Sequence, residues 1–536
     1  MIPLVLFALA FLVRLVVGAF AFQGPAYPDA YYYAHVAAQI AAGHGLISGY
    51  VWNLDDVVNL GSAAAVLPTP ANGYWMPLAE LVAAPFVALF GTGSIASGLA
   101  FWLIGALAAP LTYWIGRDAG LTKELAAVAG VLVAVPAGLT PFVAQPDTFA
   151  LFMFLGPLAL WLCAKAARGD RRFLVASGVV VGLAMLARLD GALLGIPVAL
   201  VAIRDVLRTR DRSSLMAALA CVAVFLLIVA PWAVRQVDTF GSISPSAVSG
   251  RALWLTNYQQ LFSISQPPTM DQWLSQGIGW IASSRIGGLI AALGLFALLP
   301  LAAVLAPFAA IGGWQERHNV VFGPYLIYGA VLLIVMSLLF PILVPHGTFI
   351  HSAASLVPHT FLLTVVGIGA VVRWFARKRP AWNAGTAVRV FSWSAVAVAV
   401  IAAVVQTSST TSAWSQARTR QTDLVASLAS EPATDRFMAA DPGAINYLTG
   451  TQGVVTPDDP LPVIEQVMSD YDVRWLVLES DQIVPALEPV LSGADKPDWI
   501  SRPVWIVQSQ PGAAPSVVPD GALFAVCLSP SDTRCQ

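Results

Sequence analysis

Long apolar runs separated by short arginine-bearing breaks make up most of the chain. A helix crosses the hydrocarbon core with roughly 20 apolar residues. On that measure the pattern predicts eleven crossings, at 3–22, 94–116, 125–140, 149–164, 173–187, 191–203, 215–234, 286–314, 320–344, 353–372 and 390–405. Two stretches in the loop after the first crossing read differently. Residues 27–45 place Tyr32, Val36 and Ile40 four apart between Pro28-Asp29 and Gly43-His44-Gly45, the pattern of an amphipathic surface helix with Asp29 as its cap and glycine as its stop. Residues 76–90 are apolar but short, and end in Gly91-Thr92-Gly93, so they predict a second interfacial or re-entrant helix.

After Gln406 the pattern changes again. A Ser/Thr-rich linker at 407–415 leads into short apolar runs at 436–440, 473–479, 504–508 and 523–528, which alternate with helix-like segments at 461–470 and 483–491. The predicted fold class is therefore an α-helical polytopic membrane protein of about 11 transmembrane helices with a small C-terminal α/β domain. The boundary falls between 1–406, carrying a first outer loop at 23–93 and a large outer loop at 235–285, and 407–536.

Composition agrees with this. Hydrophobic residues form 57% and charged residues 11% of the 536, and the mean hydropathy is +0.73, which excludes a water-soluble globule and makes membrane lipids a partner. The net charge of −2 implies no nucleic-acid partner. The location of the charges is more telling than their sum. Residues 23–93 contain no Lys or Arg, whereas basic residues cluster at 165–172, 204–212 and 373–379. The positive-inside rule puts those clusters in the cytoplasm and the first loop, the large loop and the C-terminal domain outside the cell (inner or plasma) membrane. Of the four cysteines, Cys527 and Cys535 lie close enough in sequence to pair in an oxidising compartment.

Chemistry-bearing residues gather on that outer side. Asp29 heads the first loop, Asp147 precedes a crossing, Arg188 and Asp190 sit at a hairpin apex, and His346 and His351 flank the last outer turn. A carboxylate that takes a proton from a hydroxyl, beside cations that neutralise a departing phosphate, suits transfer from a phosphate-linked donor. Each also has a plainer reading: Asp29 and Asp147 as helix caps, Arg188 and Asp190 as a mutual pair, the histidines as solvated loop residues. Asp55-Asp56 resembles a metal-binding pair, so no cofactor is certain and a divalent cation is a possible one. Arg251, one of the few cations of the large loop, is a candidate phosphate contact. No Gly-rich phosphate loop, zinc-type His-Glu helix or serine elbow occurs.

At these residues the chain resembles the GT-C superfamily of polytopic glycosyltransferases, in particular bacterial enzymes similar to protein O-mannosyltransferases and aminoarabinose transferases. The features that match are the Arg14-bearing first span, Pro28-Asp-Ala-Tyr-Tyr-Tyr33, Tyr74-Trp75-Met-Pro-Leu78, Asp147 before a span, Ala187-Arg-Leu-Asp-Gly191 and His351-Ser352. The resemblance covers about residues 1–406. It implies a GT-C type fold and an inverting enzyme that moves a sugar from a polyprenyl-phosphate-linked donor to a hydroxyl-bearing acceptor of the cell envelope (glycan, lipid or protein). Carried over, Asp29 would be the general base and Asp147 the acidic residue of the second loop near the site; the candidate substrate-binding set is Asp147, Arg188, Asp190, Arg251, His346, His351, Tyr74 and Trp75. The stretch 48–70 departs from the family pattern as an insertion. A polytopic transporter or lipid flippase is the alternative from another class, with charged intramembrane residues lining a pathway; a silent scaffold with a partner-binding tail is a third.

Overall fold

The computed structural model describes residues 1–54, 66–242, 251–379, 382–426, 428, 435–508, 518–528 and 533–535. The chain divides into two compact units. One comprises Met1–Gly24, Met76–Arg235 and Ile278–Thr411; the other comprises Pro25–Trp75, Gln236–Gly277 and Ser412–Gln536. The division differs from the boundary drawn at residue 406, because most of each outer loop groups with the tail.

The first unit is helical. Among the described residues seven helices are long and apolar enough to cross a membrane, eight if Lys123–Ala134 and Ala137–Ala144, bent by 44° at Val135-Pro136, count as one. The eleven expected crossings are therefore not all single long helices. Residues 173–187 and 320–344 become the shorter helices Arg172–Ala187 and Gly323–Leu339. Residues 191–203 become a 3₁₀ turn, Leu189–Leu194, followed by Gly195–Thr209. Residues 286–314 break after Gly277–Leu298 and resume as Ala306–Gln315. The Ser/Thr-rich linker is absent as such: 407–415 lie inside the helix Ala384–Val425. Its hydroxyls fold back onto the preceding turn, as Thr411 Oγ1 donates to the Thr407 carbonyl at 2.8 Å, which lets polar residues stay helical.

Small residues set the close crossings in this unit. A Cβ on Gly312 would stand 1.9 Å from the Leu363 carbonyl oxygen, and one on Gly367 would stand 1.9 Å from that of Phe308. The helices Ala306–Gln315 and Val357–Lys378 thus meet backbone to backbone. Arg14, inside the first helix, is fully buried, as the cost of a charge facing lipid demands. Its Nη1 donates to the Ala10 carbonyl at 3.0 Å, and its Nε lies 3.0 Å from the Cβ that Gly105 lacks.

The second unit is built on a sheet. Its strands are β1 (Ile47–Ser48), β2 (Tyr50–Val51), β3 (Thr69–Pro70), β4 (Arg436–Ala439), β5 (Gly453–Val455), β6 (Val473–Glu479), β7 (Ile500–Val507) and β8 (Gly521–Val526). β1 pairs with β3, and the other six form one sheet in the order β2-β5-β4-β6-β8-β7. β2, β5, β4 and β6 run parallel and β8 and β7 are antiparallel additions. The expected α/β tail is thus present, with Leu461–Asp470 as one crossover helix and Pro442–Thr449 as another. The unexpected member is β2, from the first loop, which pairs Tyr50 with Gly453 and Val51 with Val454. Gly453 is obligatory there, since a Cβ would lie 2.2 Å from the Phe437 ring. The large loop is tied in by Asp459, whose carboxylate accepts from Ser263 Oγ at 2.9 Å, Ile264 N at 2.7 Å and Ser265 N at 3.0 Å. Cys527 and Cys535 form a disulfide.

Candidate active site

The surface helix of the first loop is Pro28–Ala41, and its cap is Tyr27, not Asp29. Pro28 occupies the first helical position, where a missing N–H costs nothing, so Asp29 falls one place inside the helix. There its charge still meets the positive end of the helix dipole. Gly43, with φ of 83°, ends the helix as expected. Asp29 is half-buried, and its Oδ1 accepts from Trp75 Nε1 at 2.9 Å. Trp75 in turn stacks on Tyr32, with ring centroids 4.0 Å apart, and contacts Trp52 at 4.5 Å and Tyr74 at 5.3 Å. Tyr32 Oη accepts the Asn72 amide at 2.5 Å. Asp29 therefore stands beside a wall of indole and phenol rings whose positions are fixed by packing. His35 anchors the same helix by accepting the Gly49 amide on Nε2 at 2.9 Å, and burial lowers its pKa to about 4, so it stays neutral.

Around Asp29 lies a group of titrating residues that motif reading missed. Asp441 caps the helix Pro442–Thr449, accepting the Ala444 amide at 3.2 Å. Burial raises its pKa to about 7, helped by the charges of Glu479 and Asp29. Burial, then Asp29 and Asp441, push Tyr258 up to about 12. Tyr50 is likewise driven well above its ordinary value, by burial first and Asp441 next. Arg418 donates to the Pro25 carbonyl and reaches Tyr31 Oη at 3.4 Å. The available signal was the run of aromatics at Tyr50 and Trp52, which lies in the stretch set aside as an insertion. Nothing local to Asp441 announced it, because only the sheet carries it to Asp29.

In the first unit Asp147 caps Thr148–Ala167. Its Oδ1 accepts from the Thr148 amide and, at 3.0 Å, from Thr148 Oγ1. Its Oδ2 meets His351 Nε2 at 3.0 Å, and no part of its side chain is exposed. His351 Nδ1 lies 2.8 Å from the Gly347 carbonyl oxygen, and its ring stacks on Phe149 at 3.9 Å. The ring is thus held between a carboxylate and a backbone carbonyl, which fixes its orientation. Arg188 and Asp190 do pair, Nε to Oδ1 at 3.2 Å, and Ser352 Oγ donates to Asp190. Three separate segments of this unit, at 147, 188–190 and 351–352, thus form two adjoining polar pairs. His346 is exposed in the turn before Thr348, and is not the histidine that meets Asp147. Arg251 lies in the turn Arg251–Trp254, half-buried. Asp55 and Asp56 lie outside the described residues.

A bundle of apolar helices joined to a small α/β unit, with a carboxylate on a surface helix of the first loop, is the GT-C architecture. The chain has that fold. It superimposes on ArnT from Cupriavidus metallidurans bound to undecaprenyl phosphate with a TM-score of 0.56 at 15% identity, covering 97% of each chain. The apo form of the same protein gives 0.54 at 16% identity, again over 97% of each. An Archaeoglobus fulgidus oligosaccharyltransferase in complex with Zn and sulfate gives 0.52 at 15% identity, over 88% of this chain and 68% of the other. Residues 70–234 match the family described as dolichyl-phosphate-mannose-protein mannosyltransferase. No curated protein matches the sequence. The chain is accordingly a multi-pass membrane protein similar to the GT-C glycosyltransferases, as its motifs suggested.

Proposed function

We propose that the chain is an inverting glycosyltransferase that moves a sugar from a polyprenyl-phosphate donor to an acceptor hydroxyl at the outer face of the membrane. The observation that carries this reading is the setting of Asp29: a half-buried carboxylate at a helix start, oriented by Trp75 Nε1 and walled by Tyr32, Trp52 and Tyr74. Rings of this kind present flat apolar faces, which suits a sugar, while the carboxylate accepts a proton. Asp29 takes the proton of the acceptor hydroxyl, whose oxygen attacks the anomeric carbon. The bond from that carbon to the phosphate oxygen breaks, and polyprenyl phosphate leaves with the electron pair. The ArnT structure with undecaprenyl phosphate supports a donor of this class, and the family of 70–234 supports a hexosyl or pentosyl group, mannosyl among them.

Substrate-binding roles follow for the remaining candidates. His351 and Arg188 contact the phosphate, Asp147 and Asp190 fix their orientations, Tyr74 and Trp75 hold a sugar face, and Arg251 and His346 contact donor or acceptor. The disulfide between Cys527 and Cys535 supports an oxidising, extracytoplasmic location for the tail and, with it, the cell membrane as the site of action. A divalent cation is a weaker reading. Asp147 and His351 each offer one ligand atom to such an ion, and no step is assigned to a metal. Incubating purified protein with labelled polyprenyl-phosphate sugars and hydroxyl acceptors, with and without a chelator, tests the whole reading. Transfer that survives chelation is expected; no transfer to any acceptor from any such donor would overturn it.

A further inference from the structure

The first unit holds a cavity of about 620 Å³ lined by the helices Arg172–Ala187, Gly195–Thr209 and Arg212–Phe240, with Val181, Val198, Ala202, Val206, Ala218 and Phe225 among its walls. Its lining contains no charged, amide or hydroxyl side chain. Such a space gives water no partners and stays dry, so hydrocarbon is what fills it. Ile203, Leu207 and Val222 line it while remaining 55%, 68% and 55% exposed, which makes it a groove open to the side.

One end of the groove has a particular chemistry. Leu207 and Leu215 line it there, and the turn between their helices carries Arg208, Arg210 and Arg212, all exposed. The acids of this turn are already engaged. Asp205 accepts from Arg171 Nε at 3.0 Å and from Ser214 Oγ at 2.9 Å. Asp211 accepts from Arg171 Nη2 at 2.8 Å and caps the next helix through the Ser214 amide at 2.6 Å. Among the described residues Arg208, Arg210 and Arg212 have no carboxylate partner. Arg204, one turn earlier, donates to the Ala167 carbonyl at 2.8 Å and adds its charge to the same end.

From these observations we infer that the groove binds one acyl chain of an anionic glycerophospholipid, whose phosphate headgroup is held by Arg208, Arg210 and Arg212. Length decides which lipid. From Gly195 to Leu207 the helix rises roughly 18 Å at 1.5 Å per residue, close to the ~15 Å that half of a ~30 Å hydrocarbon core provides. An acyl chain of one leaflet matches that span, whereas a polyprenyl chain is several times longer. The site is therefore distinct in chemistry from the donor proposed above: same charge at the head, different tail. The groove would keep three otherwise loosely filled helices in register and fix the membrane depth of their basic turn.

The test titrates detergent-purified protein with dioleoyl-phosphatidylglycerol and dioleoyl-phosphatidylethanolamine, following bound lipid by native mass spectrometry and thermal unfolding in parallel. Phosphatidylglycerol should bind at least ~10-fold more tightly, because basic residues attract an anionic headgroup. The variant R208Q/R210Q/R212Q should bind the two lipids alike. Ala202→Phe, which fills the groove and leaves the arginines in place, should weaken both lipids together. Equal affinity of the wild-type chain for the two lipids overturns the proposal without any variant. So does a preference that survives the triple substitution, or stoichiometric displacement of phosphatidylglycerol by undecaprenyl phosphate, which would make the groove part of the donor site.

Discussion

Asp147 and Asp29 are carboxylates beside helix starts, one in each unit, and they are held in opposite ways. Asp147 is fully enclosed. It caps its helix with one oxygen and meets the His351 ring with the other. Asp29 is half-buried, leaves the cap position to Tyr27, and takes its orientation from an indole N–H. A carboxylate enclosed and hydrogen-bonded through both oxygens is poorly suited to take up a proton. A half-buried one is better placed to meet a substrate hydroxyl. On the proposed function Asp29 carries the base chemistry and Asp147 orients His351, and this contrast is open to direct attack.

The largest effect is expected from Asp29→Asn. Asparagine still accepts the Trp75 hydrogen bond and fits the same helical position, so unfolding temperature should stay within a few degrees. Removing a general base should lower the rate of transfer by roughly 10²- to 10⁴-fold, measured as kcat with a labelled polyprenyl-phosphate sugar. Undiminished turnover would show that Asp29 is no base and would remove the distinction between the two residues. Asp147→Ala should do the reverse. It strips the buried His351 ring of a hydrogen-bond partner and a helix of its cap, at a cost of roughly 1–3 kcal/mol, seen as a drop in unfolding temperature. Pairing it with His351→Ala should recover part of that loss, because the second substitution removes the ring nitrogen that lost its acceptor. A double variant no more stable than Asp147→Ala would mean that the two residues are not coupled.

Asp441 sharpens the comparison from a third side, since it is a buried carboxylate whose oxygen accepts a helix amide. Its pKa is raised to about 7 from 3.8, chiefly by burial. The folded state therefore holds this proton where the unfolded chain has released it. The group contributes stability that is fully present below about pH 4 and is lost as pH rises to about 7, after which the curve is flat. The loss is on the order of 4 kcal/mol. Asp441→Asn keeps a capping acceptor for Ala444 and removes the titration, so the variant should gain on the wild type between pH 4 and pH 8 in thermal unfolding. Parallel curves across that interval would show that Asp441 is ionised throughout and that its enclosure is less complete than its burial implies.

How much of this was legible in the sequence follows the range of the interactions involved. The membrane class, the surface helix of the first loop, and strands such as β6 are set by local periodicity, and their positions agree with the pattern to within a few residues. The cap of the first surface helix was misread because two local rules competed: Asp favours the cap position, but a proline immediately before it fixes the helix start one residue earlier. The Ser/Thr-rich composition of 407–415 predicts a linker, but the stretch is helical because its hydroxyls bond to the preceding turn. The pairs Asp147 with His351 and Asp190 with Ser352 join residues more than 160 positions apart, and no pattern along the chain marks them. The same holds for β2: two residues from the first loop close onto β5 some 400 positions later. Sequence periodicity sees which face of an element is apolar, and it does not see what that face meets.

The smallest effect separates orientation from chemistry at Asp29 itself. Trp75→Phe keeps an aromatic ring against Tyr32 and Trp52 but deletes the N–H that donates to Asp29 Oδ1. A hydrogen bond to a charged group contributes about 1.5–3 kcal/mol, and solvent near a half-buried carboxylate replaces most of it. A loss of roughly 10-fold in kcat is expected, with KM for the donor changed less than twofold and the unfolding temperature nearly unmoved. Because the deleted donor stabilised the ionised carboxylate, the acidic limb of the pH profile of kcat should shift towards higher pH in the variant. A merely structural tryptophan would leave that limb in place, and Trp75→Phe would then act through stability alone. The shift of the acidic limb is therefore the measurement that distinguishes a positioned base from a carboxylate that only happens to lie beside an indole.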